Sequence, residues 1–360
     1  MESSYVDNAG NGTDTSLMVS AGVIITWILA VLTVFGNSCV ILAFITEKSL
    51  HMNPANFFIL NLSVADFLTG AISFPLNNLW LMFGRWPFGE AVCKMWLIVD
   101  YTACAVSVCG IILISLDRYW MLKLKMKYRK FQTTKRVTVM VLTTWTICIP
   151  FYGIPTLFWA KFTGENTVDY SEDCEMESEQ NLAYNAFIVC VEFLIPLPII
   201  VYLNVVVYRE IRALSRTTPD GNPSSRHSSI LSIVQVGETD ATISTKVDKY
   251  WGMASNQGAG PSRHRITVAT LLQRHRKAAV TLAALIIAFA ICWTPYNIIL
   301  LWSIICDDCF NDSVWETVNY LLWSNSAINP ILYALTNTKI RNTFYKFLGM
   351  KYFKRMIGLK

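Results

Sequence analysis

Seven long runs of apolar side chains constrain this chain more than any other feature of its sequence. A helix crossing the hydrocarbon of a bilayer needs about 20 mostly apolar residues at about 1.5 Å rise each. Such runs fall at about 19–45, 56–82, 91–122, 137–159, 184–208, 278–304 and 314–335. With 53% hydrophobic and only 15% charged residues, the chain is too apolar for one ordinary soluble domain. The expected fold class is an all-α membrane protein. A seven-transmembrane helix bundle spans 19–335, preceded by an outer tail, 1–18, and followed by an inner segment, 336–360.

Orientation follows from the short loops. Residues 123–136 hold seven Lys and Arg and no acid, whereas 161–180 set Lys161 against Glu165, Asp169, Glu172, Asp173, Glu175, Glu177 and Glu179. The basic loop belongs in the cytoplasm, which puts the N-terminus outside. The net charge of +5 therefore reflects basic residues gathered towards anionic lipid and partner proteins, and no nucleic-acid partner is implied. The acidic outer face either concentrates cations at a pocket mouth or is simply a solvated loop. The first eighteen residues have no basic and apolar leader, so no cleaved signal peptide is expected. Asn11-Gly12-Thr13 is a glycosylation acceptor pattern on the outer tail.

Residues 209–277, rich in Ser, Thr, Gly and Pro towards the middle, read as a largely disordered third cytoplasmic loop. Lys339–Lys351 alternates basic with aromatic and apolar residues, which suits an amphipathic C-terminal helix on the inner membrane surface. Four of ten cysteines lie outside or at the outer rim. Oxidising topology allows Cys93 and Cys174 to pair and pin the acidic loop over the bundle mouth. Cys306 and Cys309 form a lone CxxC with no further zinc ligands, and read as a loop disulfide.

Charged side chains deep in spans cost about 2.5–3.5 kcal/mol on insertion scales, so Asp66, Asp100, Asp117 and Glu192 each need a reason. Asp117 begins Asp117-Arg118-Tyr119, seventeen residues after Asp100, about 26 Å along a helix. One acid lies in the outer half of the third helix and the other at its cytoplasmic end. Asp100 shares a helix face with Cys104 and Ser107.

Taken in order, the motifs carry a resemblance over nearly the whole chain. Gly36-Asn37, Leu62-Ser63-Val64-Ala65-Asp66, Asp117-Arg118-Tyr119, Trp145, Cys292-Trp293-Thr294-Pro295 and Asn329-Pro330-Ile331-Leu332-Tyr333 resemble the signature set of rhodopsin-like (class A) G-protein-coupled receptors. The resemblance implies a plasma-membrane receptor whose ligand favours an outward swing of the sixth helix, opening a crevice where Arg118 and Tyr333 meet a heterotrimeric G protein. Arrestin and receptor kinases are implied as further partners. Pro196, Pro295 and Pro330 remove backbone hydrogen bonds inside helices and leave hinges. Phe289 and Pro196 with Val108 resemble the contact that repacks, ordinary core being the alternative. Asp66, Ser107, Asn325, Ser326 and Asn329 form a polar pocket that in this family holds sodium, or else a dry hydrogen-bonded network. No other cofactor is implied.

An Asp seven residues after the third-helix Cys resembles the amine counter-ion of the aminergic branch, so Asp100 implies a small protonated amine as ligand. Tyr101, Trp293, Tyr296 and Trp323 supply aromatic faces for an ammonium, although aromatics in spans are often core. Ile188 and Val189, one turn above Glu192, lack the serines that bind catechol or indole hydroxyls, which disfavours catecholamines and serotonin. Glu192 suggests a ligand with polar donors at both ends. Asp100-Tyr101, Glu192-Phe193, Asn204 and Leu321–Ala327 look like histamine receptors of the third and fourth subtypes, coupled to the Gi/o class. The alternative for Glu192 is a buried, protonated, hydrogen-bonded carboxyl. Asn297 within Thr294–Ile298, with the Cys306-Asp307-Asp308-Cys309 loop, looks instead like muscarinic acetylcholine receptors. Acetylcholine is thus the runner-up, although Asn319 and Trp323 stand where that aromatic cage has Tyr. An opsin would need a Schiff-base Lys in the seventh helix and a transporter matched broken helices; neither pattern is present. All four His are cytoplasmic, away from any spanning nucleophile, so the chain does not read as an enzyme.

Overall fold

The structure, a computed structural model, describes residues 12–164, 166–216, 261–303, 306 and 309–349. The expected glycosylation site Asn11, loop residues 217–260 and the tail 350–360 lie outside them.

Among the described residues eight principal helices follow one another along the chain. They are α1 (Gly12–Thr46), α2 (Asn56–Phe83), α3 (Gly89–Leu124), α4 (Thr134–Thr163), α5 (Leu182–Val189, Cys190–Leu194 and Pro196–Arg216), α6 (Pro261–Ser303), α7 (Asp312–Thr336) and α8 (Thr338–Phe347). The first six are long and apolar enough to cross a membrane. The seventh span, α7, is more polar because Asn319, Ser324, Asn325, Ser326 and Asn329 interrupt its apolar run. The all-helical bundle expected from the seven runs is therefore present.

Local chemistry ends these helices where the chain turns. Gly84 and Gly164 take positive φ, 66° and 77°, at the C-termini of α2 and α4, a conformation that costs Gly little. Asn311 caps α7 by accepting from the Val314 amide at 3.1 Å, and Asn337 caps α8 by accepting from Lys339 and Ile340. The ends of α5 and α6 reach further than the expected 208 and 278. Within 209–277 the described residues, 209–216 and 261–277, are helical, and the rest of the loop expected to be disordered, 217–260, lies outside the described residues. The correction has a physical cause on the α5 side: Val207 and Ile211 bury against Leu122 of α3, so an apolar stripe continues past the level where the run of uniformly apolar residues stops.

Two helices depart from α geometry. Residues Thr69–Ser73 in α2 and Cys190–Leu194 in α5 form wider π turns, each just before or at a proline, Pro75 and Pro196. A proline ring clashes with the carbonyl of the fourth residue before it, and inserting one residue into the turn relieves that clash. The turn in α5 carries Glu192 and the turn in α2 carries Ser73. Close packing fixes the rest: a Cβ on Gly36 of α1 would stand 3.0 Å from the Pro330 ring of α7, so only Gly allows that approach without a shift. Between helices, Asn37 donates to the Ser326 carbonyl at 3.1 Å, Trp145 to Asn61 at 2.7 Å and Asn204 to Ser115 at 2.9 Å.

Candidate functional site

The disulfide Cys93–Cys174, with Cα atoms 5.6 Å apart, fastens the acidic outer loop to the head of α3. Cys306 and Cys309 are also bonded. Two turns below Cys93, Asp100 presents a buried Oδ1 that makes no hydrogen bond among the described residues. Ser73, brought in by the π turn of α2, and Trp323 of α7 lie beside its carboxylate. No Lys, Arg or His among the described residues pairs with it. A buried charge without a partner is costly, so the position is suited to an arriving cation.

Glu192 is 8% exposed. Its carboxylate accepts from the phenol of Tyr152 in α4, and it lies within electrostatic reach of Asp100. Cys104 lies within electrostatic reach of Asp100, Glu192 and Asp66. Ile188 and Val189 are buried and carry no hydroxyl. The Tyr101 ring stacks on Tyr152 with centroids 5.7 Å apart and planes at 15°, and its phenol donates to Glu179 of the outer loop at 2.5 Å. Tyr296 of α6 feels Glu179, Glu192 and Asp100 together. Below them, Trp293 is 2% exposed and packs on Phe289 at 5.2 Å. Trp323 packs on Phe74 at 5.3 Å and Tyr320 at 6.0 Å. Asn297 is buried and gives its amide nitrogen to the Trp293 carbonyl at 2.8 Å.

Tyr152, Glu179 and Ser73 are site residues that sequence reasoning missed. A phenol inside a span needs a hydrogen-bond partner, and that signal could have found Tyr152. Glu179 was hidden among loop acids. Its own stretch is packed in, with Met176, Glu177 and Ser178 all buried, whereas Asp169, Glu172, Asp173 and Glu175 of the same loop are exposed. Burial, then the neighbouring Glu175, push the Glu179 carboxyl up to about 7.

Deeper in the bundle, Asp66 is wholly buried and accepts from Asn329 at 2.8 Å and Ser107 at 3.4 Å, with Ser326 beside it. The amide oxygens of Asn325 and Asn329 are buried without partners among the described residues.

At the cytoplasmic end, Asp117 is 1% exposed. Its Oδ1 accepts from the Tyr128 phenol at 2.7 Å and the Gln132 amide at 2.9 Å, while Oδ2 faces Arg118 at 4.0 Å. Tyr128 and Gln132 come from the second cytoplasmic loop and were not foreseen. Burial and the Asp117 charge push the Tyr128 phenol up. Tyr119 packs against the Leu122–Val207–Ile211 cluster. Phe289, Pro196 and Val108 are all buried. The phenol of Tyr333 is also buried and makes no hydrogen bond among the described residues.

Seven helices around an acid-lined outer site, with Asp-Arg-Tyr at the inner end of the third, define a class of membrane receptor. Residues 36–333 match the 7 transmembrane receptor (rhodopsin family), and the chain belongs to that family. It is a multi-pass plasma-membrane receptor and not an enzyme. Among proteins with established names it is similar to 5-hydroxytryptamine receptor 1B. The Canis lupus familiaris protein is 28% identical over 342 residues, 91% of this chain and 86% of the relative. The Felis catus protein is 29% identical over 332 residues, 89% and 84%. The Homo sapiens protein is 28% identical over 345 residues, 91% and 87%.

Proposed function

We propose that the chain is a G-protein-coupled receptor for a small biogenic amine, and that histamine is the amine its site fits best. The observation that carries this reading is the unpartnered, buried Oδ1 of Asp100, with a second buried carboxylate, Glu192, on the adjacent α5. An ammonium satisfies the first, and an imidazole N–H satisfies the second through a charge-assisted hydrogen bond. The relatives are named for an amine, 5-hydroxytryptamine, which supports the amine class. The apolar pair Ile188 and Val189, with an acid one turn below, favours a short ligand polar at both ends over an indole. For acetylcholine, Glu192 would face an uncharged acetyl group, and Asn297 already donates to Trp293.

Arg118, Tyr119 and Tyr333 are proposed to meet the G protein, of the Gi/o class, when α6 moves about Pro295, with arrestin and receptor kinases acting on the same face. Asp66, Ser107, Asn325, Ser326 and Asn329 are proposed to hold a sodium ion. The residues fit a hard cation because they offer a carboxylate and two amide oxygens that are buried and unpaired.

The test is a panel of histamine, serotonin, acetylcholine and dopamine on cells expressing the chain, with Glu192→Gln alongside. Histamine is expected to act at the lowest concentration and to lose about tenfold or more in potency on Glu192→Gln. If serotonin leads and ignores Glu192→Gln, the two-carboxylate argument fails. A response to acetylcholine alone would move the reading to a muscarinic-like receptor.

A further inference from the structure

The stacked pair Tyr101 and Tyr152 has an acid at each end: Tyr152 donates to Glu192 and Tyr101 to Glu179. The outer of these two acids is held as firmly as the inner. It follows Cys174, which is bonded to Cys93. Ser178 before it is 1% exposed, and its own carbonyl accepts from the Asn185 amide of α5 at 2.5 Å. A carboxylate has about four acceptor positions, and the Tyr101 phenol uses one. Tyr296 lies within electrostatic reach of Glu179, Glu192 and Asp100. Among the described residues no Lys, Arg or His pairs with any of them.

We propose that Glu179 is a third ligand-contacting carboxylate, and that it selects amines with a positive charge at each end over amines with one. The proposal rests on the amine reading of the site and adds its outer wall. The first charge seats at Asp100, whose Oδ1 is unpartnered. The second is drawn to Glu179 at the mouth, where Tyr101 and Tyr296 give it aromatic faces. A singly charged amine leaves the outer acid unmatched and gains nothing from it.

Binding to the full-length receptor in membranes tests this, read as the amine concentration that half-maximally raises thermal stability. The probes are agmatine, which keeps a guanidinium and an ammonium near neutral pH, and n-butylamine, which has the ammonium alone. The wild type is expected to prefer agmatine. Glu179→Gln, which keeps an acceptor for Tyr101, is expected to weaken agmatine about tenfold and leave n-butylamine unchanged. The proposal is overturned if the wild type shows no preference, or if Glu179→Gln shifts both amines equally or neither. Asp100→Asn separates the two levels. If it abolishes both amines while Glu179→Gln changes nothing, the amine reading stands and Glu179 has no such role. If both amines still bind to Asp100→Asn, the amine reading itself falls.

Discussion

Asp100 and Asp117 sit on one helix, yet their surroundings are opposite. Asp117 has two donors on Oδ1, while its Oδ2 makes no hydrogen bond among the described residues but has the Arg118 cation 4.0 Å away. Asp100 has an oxygen with no hydrogen bond and, among the described residues, no cation paired with the carboxylate. The inner acid is answered by the chain itself, through a cytoplasmic loop folded back to meet it, and so works as an internal latch. Among the described residues nothing of opposite charge answers the outer acid, which is why it is proposed to receive an arriving amine. Burial raises the cost of leaving either unmet, and under the proposed amine reading a ligand meets that cost at the outer end.

Breaking the outer half of this contrast has the largest expected effect. Asp100→Asn removes the charge that an amine pairs with, and amine-driven G-protein turnover is expected to need about 100-fold more ligand or more; a shift under threefold contradicts the pairing. Cys174→Ser frees the outer loop, and loss of a native disulfide costs about 2–5 kcal/mol. Surface expression and amine potency should both fall, and normal values for both would show that the loop is not needed to shape the site. Two phenol deletions sharpen the comparison. Tyr152→Phe removes the donor to Glu192 and is expected to change histamine potency several-fold, on the order of 1 kcal/mol, without altering turnover in the absence of ligand. Tyr128→Phe removes the donor to Asp117 and is expected to do the reverse, raising basal turnover a few-fold with binding unchanged. An exchange of these two phenotypes would break the division between latch and receptor.

The smallest effect comes from pH. Glu179 has a carboxyl raised to about 7, with burial as the main cause, so it is charged above that value and neutral below it. The groups that bear on it are Glu175, Tyr101, Tyr184 and Tyr296. Agmatine's advantage over n-butylamine should therefore be full near pH 8 and largely lost near pH 6. The same loss in Glu179→Gln would assign the effect to another group.

The spans, their orientation and the motif acids were legible because a bilayer demands long apolar runs and makes every charge within them conspicuous. Asp66, Asp100, Asp117 and Glu192 stood out for that reason. The partners of those acids did not, because a partner is set by how neighbouring helices and loops are rotated and placed. Tyr152 meets Glu192 where the latter sits in the π turn at Cys190–Leu194, and Ser73, beside Asp100, sits in the π turn of α2. Nothing in the local spelling distinguishes such turns from an ordinary proline-containing helix. Glu179 was one of seven loop acids, six of them within five residues of Cys174, so the disulfide did not single it out. Tyr128 and Gln132 lay in a loop read for its charge alone.

The most direct measurement is the binding of labelled histamine to membranes carrying the wild type, Asp100→Asn and Asp117→Asn. The contrast between the two acids predicts saturable binding in the wild type, loss of it in Asp100→Asn, and its survival in Asp117→Asn with raised basal turnover. Histamine binding that persists in Asp100→Asn at wild-type affinity would contradict it.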